Sequence, residues 1–241
     1  MESIAAIITT SPIRSHPSTD IINETVNSIR KQLPSSEIII MVDGIREEQA
    51  YLSNQYNEYK QRLLNKCETE WTNVKCKIFE TFSHQSLMVS ETIKEINIPI
   101  LLFTEHDMPL YIDREYQWSQ LVKTIEENQA DLIRFCMEPF IINAWQHMMI
   151  DKKPQIINGA PMLRTSQWSQ RTHLASTNFY RRLMRDNFTN ESRTFIEDKI
   201  HGLPGQQGWA RWKLWIYAPE GDMQRCYTTD GRKDEPKYDN R

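Results

Sequence analysis

Hydrophobic and polar positions alternate along this chain in blocks. Four stretches are nearly continuous apolar runs: "SIAAIITT" (3–10), "EIIIMVDG" (37–44), "IPILLFTEHD" (98–107) and "DLIRFCME" (131–138). Runs of this kind read as strands buried on both faces. "VKCKIFE" (74–80) alternates apolar with polar and predicts a half-exposed strand. Between the strands lie helical patterns. One is capped by Ser18, Thr19 or Asp20 and runs to about Leu33, where Pro34 stops it. Residues 46–66 place Tyr51, Leu52, Tyr59 and Leu63 on one helix face, and 86–96 and 114–128 are helical again. Regular β/α alternation predicts the α/β class, with a mostly parallel central sheet flanked by helices.

The pattern loosens in the second half. "SQWSQRTHLAS" (166–176) reads as one strand or two, and 177–186 and 191–200 read as short helices. Trp209, Trp212 and Trp215 recur every three residues. That spacing predicts a helical core stripe, and aromatic faces in such a row also suit a wall for stacking sugar rings. The tail from Gly221 is polar and is expected at the surface. No repeat or low-complexity segment interrupts the 241 residues.

Composition narrows the classes. At 39% hydrophobic and 10% aromatic the chain can pack a core, and a net charge of −3 gives no global basic field for nucleic acid. The apolar runs are far too short for a membrane span. "MESIAAIITT" has neither a basic region nor an apolar stretch long enough for a signal peptide. Cys67, Cys76, Cys136 and Cys226 are spread along the sequence without a CxxC, and read as reduced thiols in a cytosol-like, cytoplasmic setting.

Ligands of open parallel sheets bind beyond the carboxyl ends of the strands. Three polar endings stand there. "TTSPIRS" follows the first strand and has no glycine, and neither GxGxxG nor GxxxxGK followed by Ser or Thr occurs anywhere among only seven glycines. Dinucleotide binding and P-loop hydrolysis are therefore disfavoured. Thr9, Thr10, Ser11 and the planar fork of Arg14 can still hold a nucleotide, or form a solvated capping loop. Asp43 can accept from a base or ribose, and Asp43-Gly44 is also a common turn. Glu105-His106-Asp107 ends a buried strand with two carboxylates at i and i+2. Hard oxygen ligands of that kind suit Mg²⁺ or Mn²⁺ completed by substrate phosphates, and they also suit a solvated turn. Glu197-Asp198 lies on a short helical pattern, where one acid can enter a cleft while the other is solvated. The six histidines form no HExxH motif.

In their order, these segments resemble a GT-A fold glycosyltransferase, most similar to the inverting family 2 type. "IAAIITTSPIR" looks like the opening strand and nucleotide loop, "EIIIMVDG" like the second strand with a base-recognising aspartate, "LLFTEHDMP" like the DxD metal strand and "FIEDKI" like the ED motif of the catalytic base. The resemblance spans roughly residues 3–205. It implies a nucleotide-sugar donor, UDP first, held by Thr9, Thr10, Ser11, Arg14, Asp43, Glu105 and His106. It implies Mn²⁺ or Mg²⁺ on Asp107 with Glu105, Asp198 before Glu197 as the base, and a glycan or other hydroxyl acceptor. One domain is expected over 1–241: a nucleotide-sugar half (1–110), an acceptor half (111–220) and a surface tail (221–241). The metal motif departs from the pattern, with Glu105 in place of the first Asp. A further late ligand is implied, for which His173 and His201 are guesses. Two rivals remain: a sugar-phosphate nucleotidyltransferase, which usually opens with a Gly-rich basic loop that this chain lacks, and a non-catalytic sugar-binding protein on a transferase fold.

Overall fold

A computed structural model describes residues 4–229. Its first half follows the apolar runs. Strands β1 (Ile4–Thr10), β2 (Glu37–Val42), β3 (Val74–Ile78) and β4 (Ile100–Glu105) alternate with helices α1 (Asp20–Gln32), α2 (Ser53–Thr69) and α3 (His84–Ile93). All seven residues of β1 are buried. Ile4, Ala6 and Ile8 face one core layer with Ile22, Val26 and Ile29 of α1, while Ala5 and Ile7 face the other with Met88 and Val89 of α3. A strand buried on both faces cannot afford polar alternation, which is why the run is continuous. Leu33 closes α1 through its N–H to the Ile29 carbonyl, and Pro34 follows.

The second half adds α4 (Trp118–Glu126), β5 (Leu132–Arg134), β6 (Gln155–Ile157), β7 (Ala160–Arg164), β8 (His173–Ser176), α5 (Thr177–Asn187), α6 (Ile196–Ile200), α7 (Leu203–Gln207), α8 (Trp209–Trp212) and β9 (Leu214–Tyr217). The nine strands form one sheet in the order β3-β2-β1-β4-β8-β5-β9-β7-β6. The pairs β1–β2, β1–β4, β2–β3 and β5–β9 are parallel. β8 is antiparallel to both β4 and β5, so β5 regains the direction of β4. The carboxyl ends of β1, β2, β4, β5 and β9 therefore share one edge of the sheet.

Several expectations in this half are corrected. Of 166–176 only His173–Ser176 is a strand; the preceding loop buries Trp168 and turns toward α6. Helix is limited to Ile196–Ile200 rather than 191–200, because Ser86 exchanges hydrogen bonds with Ser192 and Thr194 and holds that stretch as a loop. The strand expected over 131–138 ends at Arg134, since the Cys136 carbonyl turns to the N–H groups of Arg225 and Cys226. The tryptophans are not one helical stripe. Lys213 takes a left-handed φ of 41° and sends the chain from α8 into β9, so Trp215 lies on a strand and meets Trp209 edge-to-face at 5.2 Å. The four thiols are free, yet Cys67 and Cys76 are not distant in space: their Sγ atoms are 3.4 Å apart between α2 and β3. Among the described residues no helix is long and apolar enough to cross a membrane. The tail expected at the surface from Gly221 turns inward in its described part, where Arg225 and Cys226 are buried and Cys226 bridges Leu110, and from Asp230 onward it lies outside the described residues.

Candidate active site

Three strand ends converge on one cleft of about 160 Å³. β1 contributes Thr9, Thr10 and Ser11; β2 leads into Asp43; β4 supplies Glu105 and continues into His106 and Asp107. The register explains this: Thr9 pairs with Met41 on one side and with Glu105 on the other. The cleft walls are tied to the helices behind them. Thr10 Oγ1 and the Tyr59 hydroxyl lie 3.1 Å apart, and Tyr56 donates to the Asp43 carbonyl at 2.8 Å. The His106 N–H reaches the Thr9 carbonyl at 3.0 Å, and Thr25 Oγ1 donates to the His106 carbonyl at 2.7 Å.

Asp43 is 3% exposed. Its Oδ1 accepts from the N–H groups of Gly44 and Ser83, both at 2.8 Å, and the His84 N–H reaches Oδ2 at 3.1 Å. Burial raises its pKa, against those donors and the Arg46 charge. Asp43 thus does more than end a turn: it fastens β2 to the start of α3 while lining the cleft. Gly44 is required beside it. A Cβ there would lie 2.2 Å from the Thr81 carbonyl carbon and 2.4 Å from the Phe82 nitrogen.

Arg14 is exposed on the turn after β1 and does not line the cleft, whereas Arg46 does. Arg46 stacks over Phe82 at 4.6 Å, Phe82 meets His84 edge-on, and His84 meets Phe195 at 4.5 Å. Burial and the Arg46 charge lower the His84 pKa, and Asp198 opposes them. Arg46, His84, Gln85 and Phe195 were missed from sequence. For Arg46 the available signal was a cation two residues beyond the Asp43-Gly44 turn. For Phe195 it was adjacency to Ile196-Glu197-Asp198.

The two acids of α6 differ. Glu197 Oε2 accepts from the Gln170 N–H at 2.8 Å, and its Oε1 lies 3.4 Å from His201 Nδ1. The Asp198 side chain is exposed and makes no hydrogen bond among the described residues. His173 is no ligand. It is fully buried, its Nδ1 donates to the Arg171 carbonyl at 2.6 Å, and its Nε2 accepts from the Tyr180 hydroxyl at 2.7 Å.

For a divalent ion the donor set is small. No cluster of three or more His, Cys, Asp or Glu gathers to hold a metal among the described residues. The half-buried Asp107 carboxylate has no hydrogen-bond partner there, and Glu105 stands two residues before it. Two hard carboxylates, completed by water and substrate phosphate, fit the way Mg²⁺ is usually held.

No family model matches the sequence, and no curated protein does. Solved structures share the fold. S. aureus TarS 1–349 aligns over 95% of this chain at a TM-score of 0.54 and 18% identity. The TarS 1–349 complex with UDP-GlcNAc aligns over 95% at 0.54 and 14%. GalNAc-T7 with UDP, GalNAc and Mn²⁺ aligns over 90% at 0.57 and 12%. This is a GT-A-like glycosyltransferase fold. At such identities the likeness is one of fold. The chain spans 60% of TarS 1–349, 58% of that protein in its UDP-GlcNAc complex and 42% of the GalNAc-T7 chain. On the GT-A-like fold, the Asp43–Asp107 cleft occupies the carboxyl edge of the parallel strands.

Proposed function

We propose that this chain is a glycosyltransferase that moves a sugar from a nucleoside-diphosphate sugar, UDP foremost, to a hydroxyl acceptor with inversion. The observation that carries the reading is the convergence of the ends of β1, β2 and β4 on one cleft, walled by Phe195 at the start of α6, in a fold whose solved neighbours include complexes with UDP and UDP-GlcNAc. Residues 1–110 serve the donor and 111–220 the acceptor. Asp43, Thr9, Thr10 and Ser11 hold the nucleoside, and Arg46 adds a cation toward the diphosphate. Asp107, with Glu105 beside it, would hold Mn²⁺ or Mg²⁺. Such an ion, when bound, acts as a Lewis acid that offsets charge on the departing diphosphate.

Asp198 takes the proton of the acceptor hydroxyl as that oxygen attacks the anomeric carbon. It suits this task better than Glu197, whose oxygens are engaged by Gln170 and His201. Attack opposite the leaving group inverts the anomeric centre.

A panel of UDP-, GDP- and dTDP-sugars with Mn²⁺ and an array of hydroxyl acceptors tests the reading. The expected result is transfer, or slow release of free sugar, with UDP preferred and the product anomer inverted by NMR. Tight donor binding with no turnover across the acceptor array would favour a non-catalytic sugar-binding protein. Formation of a nucleotide-sugar from sugar phosphate and nucleoside triphosphate would favour a nucleotidyltransferase.

A further inference from the structure

Two glutamines far apart in sequence meet at one carboxylate. Gln85 stands in the first turn of α3, and Gln170 in the loop before β8. Glu105 Oε1 accepts from Gln170 Nε2 at 3.1 Å and from Gln85 Nε2 at 3.4 Å. The opposite ends of both amides hold α6. The Ile196 N–H donates to Gln85 Oε1 at 3.0 Å, and the Glu197 N–H donates to Gln170 Oε1 at 3.0 Å. The Gln170 N–H returns a bond to Glu197 Oε2 at 2.8 Å.

The amide orientations follow from chemistry. A backbone N–H only donates, so both amide oxygens face α6 and both NH₂ groups face Glu105. The helix needs this support. It has five residues, too few to be stable alone, and its N-cap is Phe195, whose side chain cannot accept. The first N–H groups of a helix lack internal partners. Here two of them are met from outside, by side chains that both end on Glu105.

We infer that Gln85 and Gln170 are positioning residues for sugar transfer: they fix α6, with Glu197 and Asp198, against the donor-side end of β4 by way of Glu105. The inference rests on the transferase reading of the cleft. It gives the departure from Asp-x-Asp a physical purpose, since glutamate is one methylene longer than aspartate and reaches both amides. Glu105 then carries the brace as well as standing beside Asp107 at the ion.

Reversing one bond tests it. Near pH 7.5, Gln170→Glu sets a second carboxylate against Glu105 and breaks the brace. Adding Glu105→Gln to that variant restores the shorter, Gln170 arm, with the new amide nitrogen donating to the new carboxylate and the 3.4 Å bond from Gln85 given up. Glu105→Gln alone leaves a carbonyl oxygen that still accepts. The expected pattern is a kcat at least tenfold lower in Gln170→Glu, with the donor KM changed less than threefold. The double variant should return to within about threefold of Glu105→Gln alone. A near-wild-type kcat in Gln170→Glu, or no recovery in the double variant, overturns the inference. Deuterium exchange at the Ile196 and Glu197 amides reads the same brace without any turnover. It should quicken about tenfold in Gln170→Glu and slow again in the double variant, and unchanged exchange also overturns the inference. If no sugar nucleotide turns over while exchange follows the expected pattern, the transferase reading fails and the brace stands.

Discussion

The two sides of the sheet are built by different means. On the side proposed for the donor, β1, β2 and β4 run seven, six and six residues, parallel and buried, and their ends fall beside one another through backbone register. On the side proposed for the acceptor, β5, β6, β7, β8 and β9 run three, three, five, four and four residues, and β8 reverses direction. Little backbone regularity remains there to aim a side chain. Side-chain bonds do it instead: Gln170 to Glu105 and Glu197, Arg171 to Glu138 at 2.5 and 2.9 Å, and Arg164 to Asp151 at 2.7 Å. A scaffold of the first kind keeps its site when a side chain is trimmed. One of the second kind loses the geometry along with the bond.

The largest expected effect lies on the donor side. Asp107→Ala should remove the Mn²⁺ dependence of UDP binding, because among the described residues no group of three or more His, Cys, Asp or Glu gathers to replace it. The fold should be unaffected, since the Asp107 side chain holds nothing in place among the described residues. Calorimetric titration of UDP with and without Mn²⁺ checks this. A metal dependence that survives in Asp107→Ala places the ion elsewhere.

Next in size is the base. Asp198→Asn keeps shape and loses proton affinity, and a positioned general base is worth about 10²–10⁴-fold in rate. Transfer should fall by about that factor, with UDP affinity unchanged within a few-fold. Glu197→Gln replaces an oxygen that accepts from Gln170 and should act mainly by loosening α6, with quicker amide exchange there. If Glu197→Gln gives the larger loss of rate at unchanged exchange, the two acids trade roles.

The same contrast governs what could be read from sequence. The continuous runs at 3–10, 37–44 and 98–107 marked β1, β2 and β4, because burial on both faces leaves no polar position. The residues ending them, Thr9, Thr10, Ser11, Asp43, Glu105, His106 and Asp107, do share a cleft. The other half resisted for reasons of range. Gln170 and Glu105 are 65 positions apart, and Gln85 and Ile196 are 111 apart, so no local period records their meeting. The Trp209, Trp212 and Trp215 spacing fits a helix but crosses the left-handed turn at Lys213. Arg46 outranks Arg14 at the cleft because Phe82, from the loop after β3, carries its guanidinium.

The smallest expected effect compares one histidine from each side. His16 is 4% exposed, its ring stacked on Tyr59 at 3.7 Å and on Tyr56 at 5.2 Å. Burial, with a smaller push from His106, lowers its pKa to about 3. His173 is lowered to about 4, again chiefly by burial, although its bond to the Arg171 carbonyl opposes the shift. Both are neutral in the folded chain and take up a proton near pH 6.5 once unfolded. The unfolded state therefore binds more protons as pH drops, and stability present above about pH 6.5 is lost on the way down toward those folded values. Each group contributes a slope of up to about 1.4 kcal/mol per pH unit. Urea midpoints between pH 7.5 and 5 should fall for the wild type. His16→Phe keeps a ring against the tyrosines and has nothing to protonate, so its slope should be shallower. His173 should supply much of the remainder, because its Nε2 accepts from Tyr180 and cannot gain a proton without turning that hydroxyl away, and His84, also lowered by burial, acts in the same direction. An unchanged slope in His16→Phe would mean that His16 takes its proton within the fold, and that acid sensitivity belongs to the other buried histidines.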